Sequence, residues 1–403
     1  MHDALKAQKE EKNALLKKQK DKTLKKLLSK IDTELAAKKI TYTQLSKCWG
    51  ISVSGVSNVF SGEREISFCY LAKTLVLLYE DHLLRRELLE EYLKVAKPEN
   101  LREALEYLAL RGEFDLVKML INKEYNSDTP ENREWCRVYE LICQKAQKKK
   151  IKKETLMNYY DSLEEEMENN SNFEMKILID ILLCHTSYQL GDYRLLNKRL
   201  NKLMNKASRI KNKFVKKCYK VRIEEGLAAI YLTSDQLDEV RDRCNILLEL
   251  CENEPHLILN KARALWLKAE SFIFDDYEQS LKLFNESLEI LEDNVNPEME
   301  KKKNAIIKTI QFLKIYHNRD LNTLGVMDDG ERAFFEIRIG NLEAAIEILS
   351  NIEIKNRGLS SFELVYLGMA QKNREIIKQG LRKFEEKSSL FYARFPKKEL
   401  GLI

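Results

Sequence analysis

The chain has 403 residues, 44% hydrophobic and 33% charged, with a net charge of +5. That length allows two or three domains with a sizeable core. It contains no apolar leader and no run near the ~18 apolar residues of a membrane span, so a cytoplasmic protein with no membrane partner is expected. Gly (13) and Pro (5) are scarce, and no Asn-Gly or Asp-Gly turn joins alternating runs, which excludes a β-rich fold and predicts an all-α one.

Residues 1–22 read as a charged helical or disordered lead-in. Residues 1–30 carry ten lysines against Asp3, Glu10, Glu11 and Asp21. Such an arm suits either DNA phosphates or a solvated helix. Thr23 to Lys38 follows as an amphipathic helix with Leu24, Leu27, Leu28, Ile31 and Leu35 on one stripe.

Tyr42 to Phe60 reads as a helix-turn-helix. Leu45 and Trp49 share a face, and Ser46 is small where two helices cross. Gly50 supplies a turn with positive φ, and Ser52 caps the second helix. Val53, Val56 and Val59 are expected to bury one side of that helix, leaving Gly55, Ser57 and Asn58 outward. Thr43 and Gln44 open the first helix, where phosphate meets helix amides. Ser54, Gly55, Ser57 and Asn58 form the expected recognition face. Asn pairs bidentately with adenine, whereas Ser and Gly discriminate little, so DNA shape or dimer spacing would add specificity. Lys47 and Arg64 are phosphate candidates. Ser67 to Tyr79 would cover this module from behind, completing a four- or five-helix bundle over 23–80. Leu83 to Val95 continues as helix in an 81–98 linker, and Pro98 marks the boundary.

Beyond Pro98 a short inter-helix turn recurs. It appears at Arg111-Gly112-Glu113-Phe114, Leu190-Gly191-Asp192-Tyr193 and Thr233-Ser234-Asp235-Gln236-Leu237. It returns at Phe274-Asp275-Asp276-Tyr277, Ile339-Gly340-Asn341-Leu342 and, more weakly, Gln371-Lys372-Asn373-Arg374. Neighbouring turns lie mostly about 32–43 residues apart, or near twice that, against a tetratricopeptide period of ~34. Ala264 to Leu291 and Ala333 to Leu349 keep the pattern best. Such units bury their apolar faces only by stacking, so residues 99–390 are expected to form a right-handed tetratricopeptide-like α-solenoid with a concave groove. Pro130, Pro255 and Pro297 fall between expected helices, and Pro396 would start the last segment. The 391–403 tail ends in Leu400, Leu402 and Ile403, expected to cap the array or to pack on a second copy in a homodimer.

No phosphate loop, HExxH, Gly-x-Ser-x-Gly or kinase signature occurs, and the acidic pairs read as solvated faces, so no enzyme is expected. The eight cysteines include no Cys-x-x-Cys and are expected to be reduced and mostly buried. Cys184 and His185 are adjacent and would point to different helix faces, so no metal and no cofactor is expected. A concave polar and aromatic groove instead suits an extended peptide, with Asn and Arg clamping its backbone.

A helix-turn-helix followed by a degenerate array resembles the peptide-sensing regulators of Gram-positive bacteria. More narrowly, three stretches resemble the arbitrium receptor (AimR) family of temperate phages. They are Ser271-Phe272-Ile273-Phe274-Asp275-Asp276-Tyr277-Glu278, Phe284-Asn285-Glu286-Ser287-Leu288, and Phe391 to Leu400; Ala104-Leu105-Glu106-Tyr107 is similar too. The resemblance implies a homodimeric DNA-binding activator on a palindromic operator, controlling lysis against lysogeny. A signalling hexapeptide in the groove would end activation. The sequence departs from the family where two Asn are expected, at Ala229 and Thr233. An expected Arg falls near Leu259, with Lys261 and Arg263 close by, and an expected Asp falls on Ser389; Phe391 matches. These departures leave open a shifted register, a different peptide, or loss of sensing. The carried-over peptide-binding candidates are Thr233, Glu270, Ile273 and Phe391. The competing reading is a non-catalytic adaptor or sensor that regulates a protein partner.

Overall fold

The computed structural model describes residues 2–148, 152–193, 195–292 and 296–403, with side chains omitted for 2–14, 16 and 17. Among these residues the fold is all-α, with no strand. Five helices lead: α1 (His2–Ala37), α2 (Tyr42–Trp49), α3 (Val53–Phe60), α4 (Phe68–Leu78) and α5 (His82–Val95). The lead-in and the amphipathic helix are one uninterrupted α1, because neither Gly nor Pro breaks the run. Most side chains of the basic lead-in lie outside the described ones.

The solenoid continues through α6 (Pro98–Arg111), α7 (Phe114–Glu124), α8 (Pro130–Ala146), α9 (Lys153–Asn169), α10 (Phe173–Leu190) and α11 (Leu196–Ala207). Its middle holds α12 (Lys213–Thr233), α13 (Leu237–Cys251), α14 (Ile258–Glu270) and α15 (Tyr277–Glu289). It ends with α16 (Pro297–His317), α17 (Asp329–Arg338), α18 (Leu342–Asn356), α19 (Ser361–Ala370), α20 (Arg374–Glu386) and α21 (Leu390–Glu399). The fold is therefore a helical bundle followed by a tetratricopeptide-like α-solenoid.

Each recurring turn separates a helix pair. Five hold one residue in the left-handed region: Gly112, Gly191, Asp235, Gly340 and Lys372. That residue closes the first helix and re-aims the chain. The second turn runs long, and α11 begins at Leu196 rather than at Tyr193. Where α19 and α20 cross, a Cβ on Gly368 would meet Ile377 at 2.6 Å, and one on Gly380 would meet Val365 at 2.6 Å, so that pair packs as closely as it does only through these glycines. Pro130 and Pro297 each occupy the first turn of their helices, where the missing N–H costs nothing. Pro396 differs from expectation: it lies inside α21 instead of opening a new segment.

Two apolar clusters fill the molecule. One runs from Leu27 of α1 through the bundle into the array as far as Ala264 of α14. The other runs from Ala228 of α12 to Leu400. The bundle is thus packed onto the array without an apolar break. At the junction the Phe68 ring meets Tyr107 edge-on at 5.1 Å, and Tyr107 stacks on His256 at 5.0 Å. Arg111 donates to the Pro255 carbonyl at 2.7 Å. Glu254, in the α13–α14 corner, accepts from Lys73 of α4 at 3.0 Å and from Lys217 of α12 at 2.7 Å. Seven of the eight cysteines are buried and Cys48 is half-buried, all as free thiols.

Candidate functional site

Two regions gather the sequence-selected residues: the α2–α3 corner and the inner face of the array. In the corner Gly50 has φ +68° and donates to Ser46 O at 2.9 Å, ending α2. Leu45, Trp49, Val56 and Val59 are buried beneath it. The Trp49 indole stacks on Tyr70 at 5.0 Å and donates to Thr74 of α4 at 3.0 Å, so α4 braces α2, on which α3 packs. Ser52 caps α3, accepting from Gly55 N at 3.1 Å.

The expected face is solvent-exposed at Thr43, Lys47, Ser54, Ser57, Asn58 and Arg64. Among the described residues Thr43, Ser57 and Asn58 commit no side-chain atom to a hydrogen bond, whereas the Ser54 and Ser52 hydroxyls lie 3.0 Å apart. Three expectations need correcting. Val53 is 44% exposed, because it sits in the first turn of α3 at the rim of the core. Gly55 is half-buried rather than fully outward, and a Cβ there would meet Ile51 at 3.3 Å, so the glycine also serves the packing of the turn. Gln44 folds back to complete a capping box with Thr41, accepting from its N–H at 2.7 Å, so its carbonyl oxygen already has a partner.

On the inner face, α10, α12 and α14 enclose a hollow of about 150 Å³ lined by His185, Tyr188, Glu225, Ala229, Ile230 and Arg263, among others. Gly226 leaves room for the His185 ring, which a Cβ would approach at 3.1 Å. The Glu225 carboxylate accepts from Asn260 at 2.7 Å, while the buried Asn260 Oδ1 has no partner. Arg263 lies over the Trp266 ring at 4.2 Å and Lys302 over the same ring at 5.5 Å. Burial, then repulsion from Arg263, lowers the Lys302 pKa to about 8. Burial pushes Glu225 up, but Lys302 and Arg263 outweigh it and hold the carboxyl below its usual range. Burial lowers the His185 pKa to about 4, leaving a neutral ring bonded to the Arg222 carbonyl at 3.1 Å. Burial raises Glu270, which accepts from the Tyr392 hydroxyl at 2.7 Å. A guanidinium, a tyrosine and apolar walls are equipment for binding an extended polar backbone.

The carried-over residues fall unevenly around this hollow. Thr233 is buried at its edge, donating to Ala229 O at 2.9 Å and lying 3.1 Å from the Tyr188 hydroxyl. Glu270 is buried beneath Tyr392. Ile273 and Phe391 contradict expectation: both are fully buried in the second apolar cluster, Phe391 against Phe274 at 5.0 Å, and offer no surface to a bound molecule. They are core because α21 turns back onto α12 and α14, where Arg394 grips Asp275 with two 3.0 Å bonds. Arg263 was not selected from sequence, although it lies one helical turn beyond Leu259, where an Arg was sought. Of the apolar tail, Leu400 is buried in its own chain's core and cannot serve a dimer contact, because the α21 C-terminus folds it inward. Leu402 and Ile403 are 60% and 67% exposed.

No helix among the described residues is long and apolar enough to cross a membrane. Among them no cluster of three or more His, Cys, Asp or Glu could hold a metal. A family model described as AimR transcriptional regulator-like matches residues 85–401. The uncharacterized protein pXO2-35 of Bacillus anthracis is 33% identical over 227 residues, 56% of this chain and 84% of that protein. The AimR transcriptional regulator of Bacillus phage phi3T is 23% identical over 336 residues, 81% of this chain and 83% of that one. The solved structure of phAimR aligns with a TM-score of 0.69 at 21% identity, over 93% of this chain and 96% of that one.

Proposed function

The chain belongs to the AimR transcriptional regulator-like family, and from that premise we propose a DNA-binding transcription activator switched off by a short peptide held inside the solenoid. The observation that carries the reading is the α2–α3 corner: a capped helix packed on α2, whose outward Ser57 and Asn58 side chains are exposed and bond to no other described residue. Thr43, Lys47, Ser52, Ser54 and Arg64 would position phosphates around it, and Asn58 would read a base edge. The bundle over residues 23–80, the 81–98 linker and the array from 99 onward would divide DNA reading from peptide sensing. A peptide of about six residues is larger than the 150 Å³ hollow, so it would run along the groove past it, with Arg263 meeting its backbone carbonyls or terminal carboxylate. Thr233 and Glu270 would border that peptide. Two copies on a palindromic operator, acting in the host cytoplasm without a cofactor, would set a phage's choice between lysis and lysogeny.

The test is a gel-shift series on the DNA flanking the gene, at several salt concentrations, with calorimetry on hexapeptides encoded nearby. Expected are a steep fall of affinity with salt and a loss of about 1–3 kcal/mol of binding in Asn58→Ala. Binding that ignores salt, or an unchanged Asn58→Ala affinity, would rule the DNA reading out. Absence of heat with every encoded hexapeptide would rule out the peptide.

A further inference from the structure

We propose that the cleft between the DNA-binding bundle and the outer ridge of the array docks an amphipathic helix of a protein partner, acidic in its N-terminal half. One wall comes from α2 and α4, the other from the α13–α14 corner. Lys47, Lys73, Val76, Leu77, Ile258 and Lys261 shape a space of about 750 Å³. Val76 and Leu77 are 39% and 46% exposed, although α4 already buries Ala72, Leu75 and Leu78 in the core. Adjacent solvated apolar groups in a cleft of this size mark a contact surface.

Charge selects the occupant. Lys73 is neutralised by Glu254 at 3.0 Å. Lys47 and Lys261 are exposed and have no ion-pair partner among the described residues. Along α14 the cleft runs into a second hollow of about 720 Å³ that shares Lys261 and Ile290. Glu249, Glu252, Glu286 and Glu289 rim it, and among the described residues only Glu286 of these has a basic partner, Lys282 at 3.9 Å. The groove is therefore apolar along its floor, basic toward α4 and acidic toward α15. A helix matches that order by its own physics: acids favour its first turns and bases its last, with a stripe of apolar residues along one side. Its N-terminal half would lie over Lys47 and Lys261, and its C-terminal half over Glu249, Glu252 and Glu289. Duplex DNA fits only the basic end, since the carboxylates repel phosphate.

The proposal rests on the activator reading, and the experiment separates the two. Full-length protein, the DNA flanking its gene and host RNA polymerase are combined in a transcription assay with Leu77→Asp, Lys261→Glu and Glu289→Lys variants. None of these residues lies on the recognition face. Expected is a fall of stimulation of about tenfold or more, with DNA affinity within about twofold of the parent and unchanged sedimentation. Undiminished stimulation overturns the proposal. A matching loss of DNA affinity assigns the cleft to phosphates, and altered sedimentation assigns it to a second copy; either result overturns it too. If the parent protein neither binds DNA nor stimulates, the regulator reading fails instead. The cleft is then probed with a fluorescent synthetic helix about 18 residues long, carrying Glu early, Lys late and a Leu stripe. Saturable binding abolished by Leu77→Asp supports the docking site, and no binding overturns it.

Discussion

The N-terminal and C-terminal halves secure their long-range contacts by different chemistry. In the first half, the buried Glu106 of α6 takes two bonds from Arg222 of α12, at 2.9 and 3.1 Å, and a third from the Tyr139 hydroxyl of α8. Glu254 repeats the device where the array meets α4. In the second half the work falls to rings. Phe312 lies 5.8 Å from Phe334 and 5.9 Å from Phe395, and Phe334 stacks on Tyr366 at 4.5 Å. A buried ion pair is favourable only when its geometry and hydrogen bonds are good, whereas a ring cluster draws mainly on the apolar area it buries. The half that contains α3 adds these buried charged ties to its own rings at Phe68 and Tyr107. The other half leans on its ring cluster, with Arg394–Asp275 as an added tie nearer the surface.

The largest test of that contrast is Arg222→Met, which strands a buried carboxylate and should cost about 3–5 kcal/mol in urea unfolding. A loss below about 1 kcal/mol would show that the pair is ornamental. Phe395→Ala should cost about 3–4 kcal/mol, but hydrogen exchange should quicken in α16 to α21 and not in α1 to α6. Uniform quickening would mean that the halves do not differ. The next effect concerns pH. His185 has a folded pKa of about 4, below its unfolded value, so the folded state binds fewer protons. Its contribution is full above the unfolded pKa of ~6.5 and is lost as pH falls toward 4. His256, also held neutral by burial, acts in the same direction. His185→Gln should remove up to about 2 kcal/mol of that acid sensitivity, discounted for a half-buried ring; identical melting curves at pH 7 and pH 4.5 in both proteins would refute it. The smallest effect is Ser52→Ala, about 1 kcal/mol of stability through the lost cap. It should lower the melting temperature slightly and weaken DNA binding more than it weakens peptide binding.

The helix-turn-helix was legible because its constraints are local. Leu45, Trp49, Val56 and Val59 lie at fixed spacing around Gly50, and all are buried where that spacing puts them. The inter-helix turns were legible for the same reason, since in five of the six a left-handed residue follows the first helix. The α8–α9 pair escaped because no Gly, Asn or Asp marks its connection. The inner hollow was legible only in outline. Its location follows from the stacking of first helices, but Ile273 and Phe391 were misplaced because nothing local reveals that α21 folds back across α12. The Lys73–Glu254 bond could not be foreseen either. Its partners lie 181 residues apart, and in a chain one-third charged any lysine has many equally plausible acids.

The seamless apolar packing between bundle and array has a geometric outcome. Packed this way at the neck, α3 moves together with the first stretch of the spiral. Any flexing of that spiral must therefore reappear as a tilt of α3. In a paired assembly, the gap between the two α3 helices would act as a gauge of how tightly each spiral is wound.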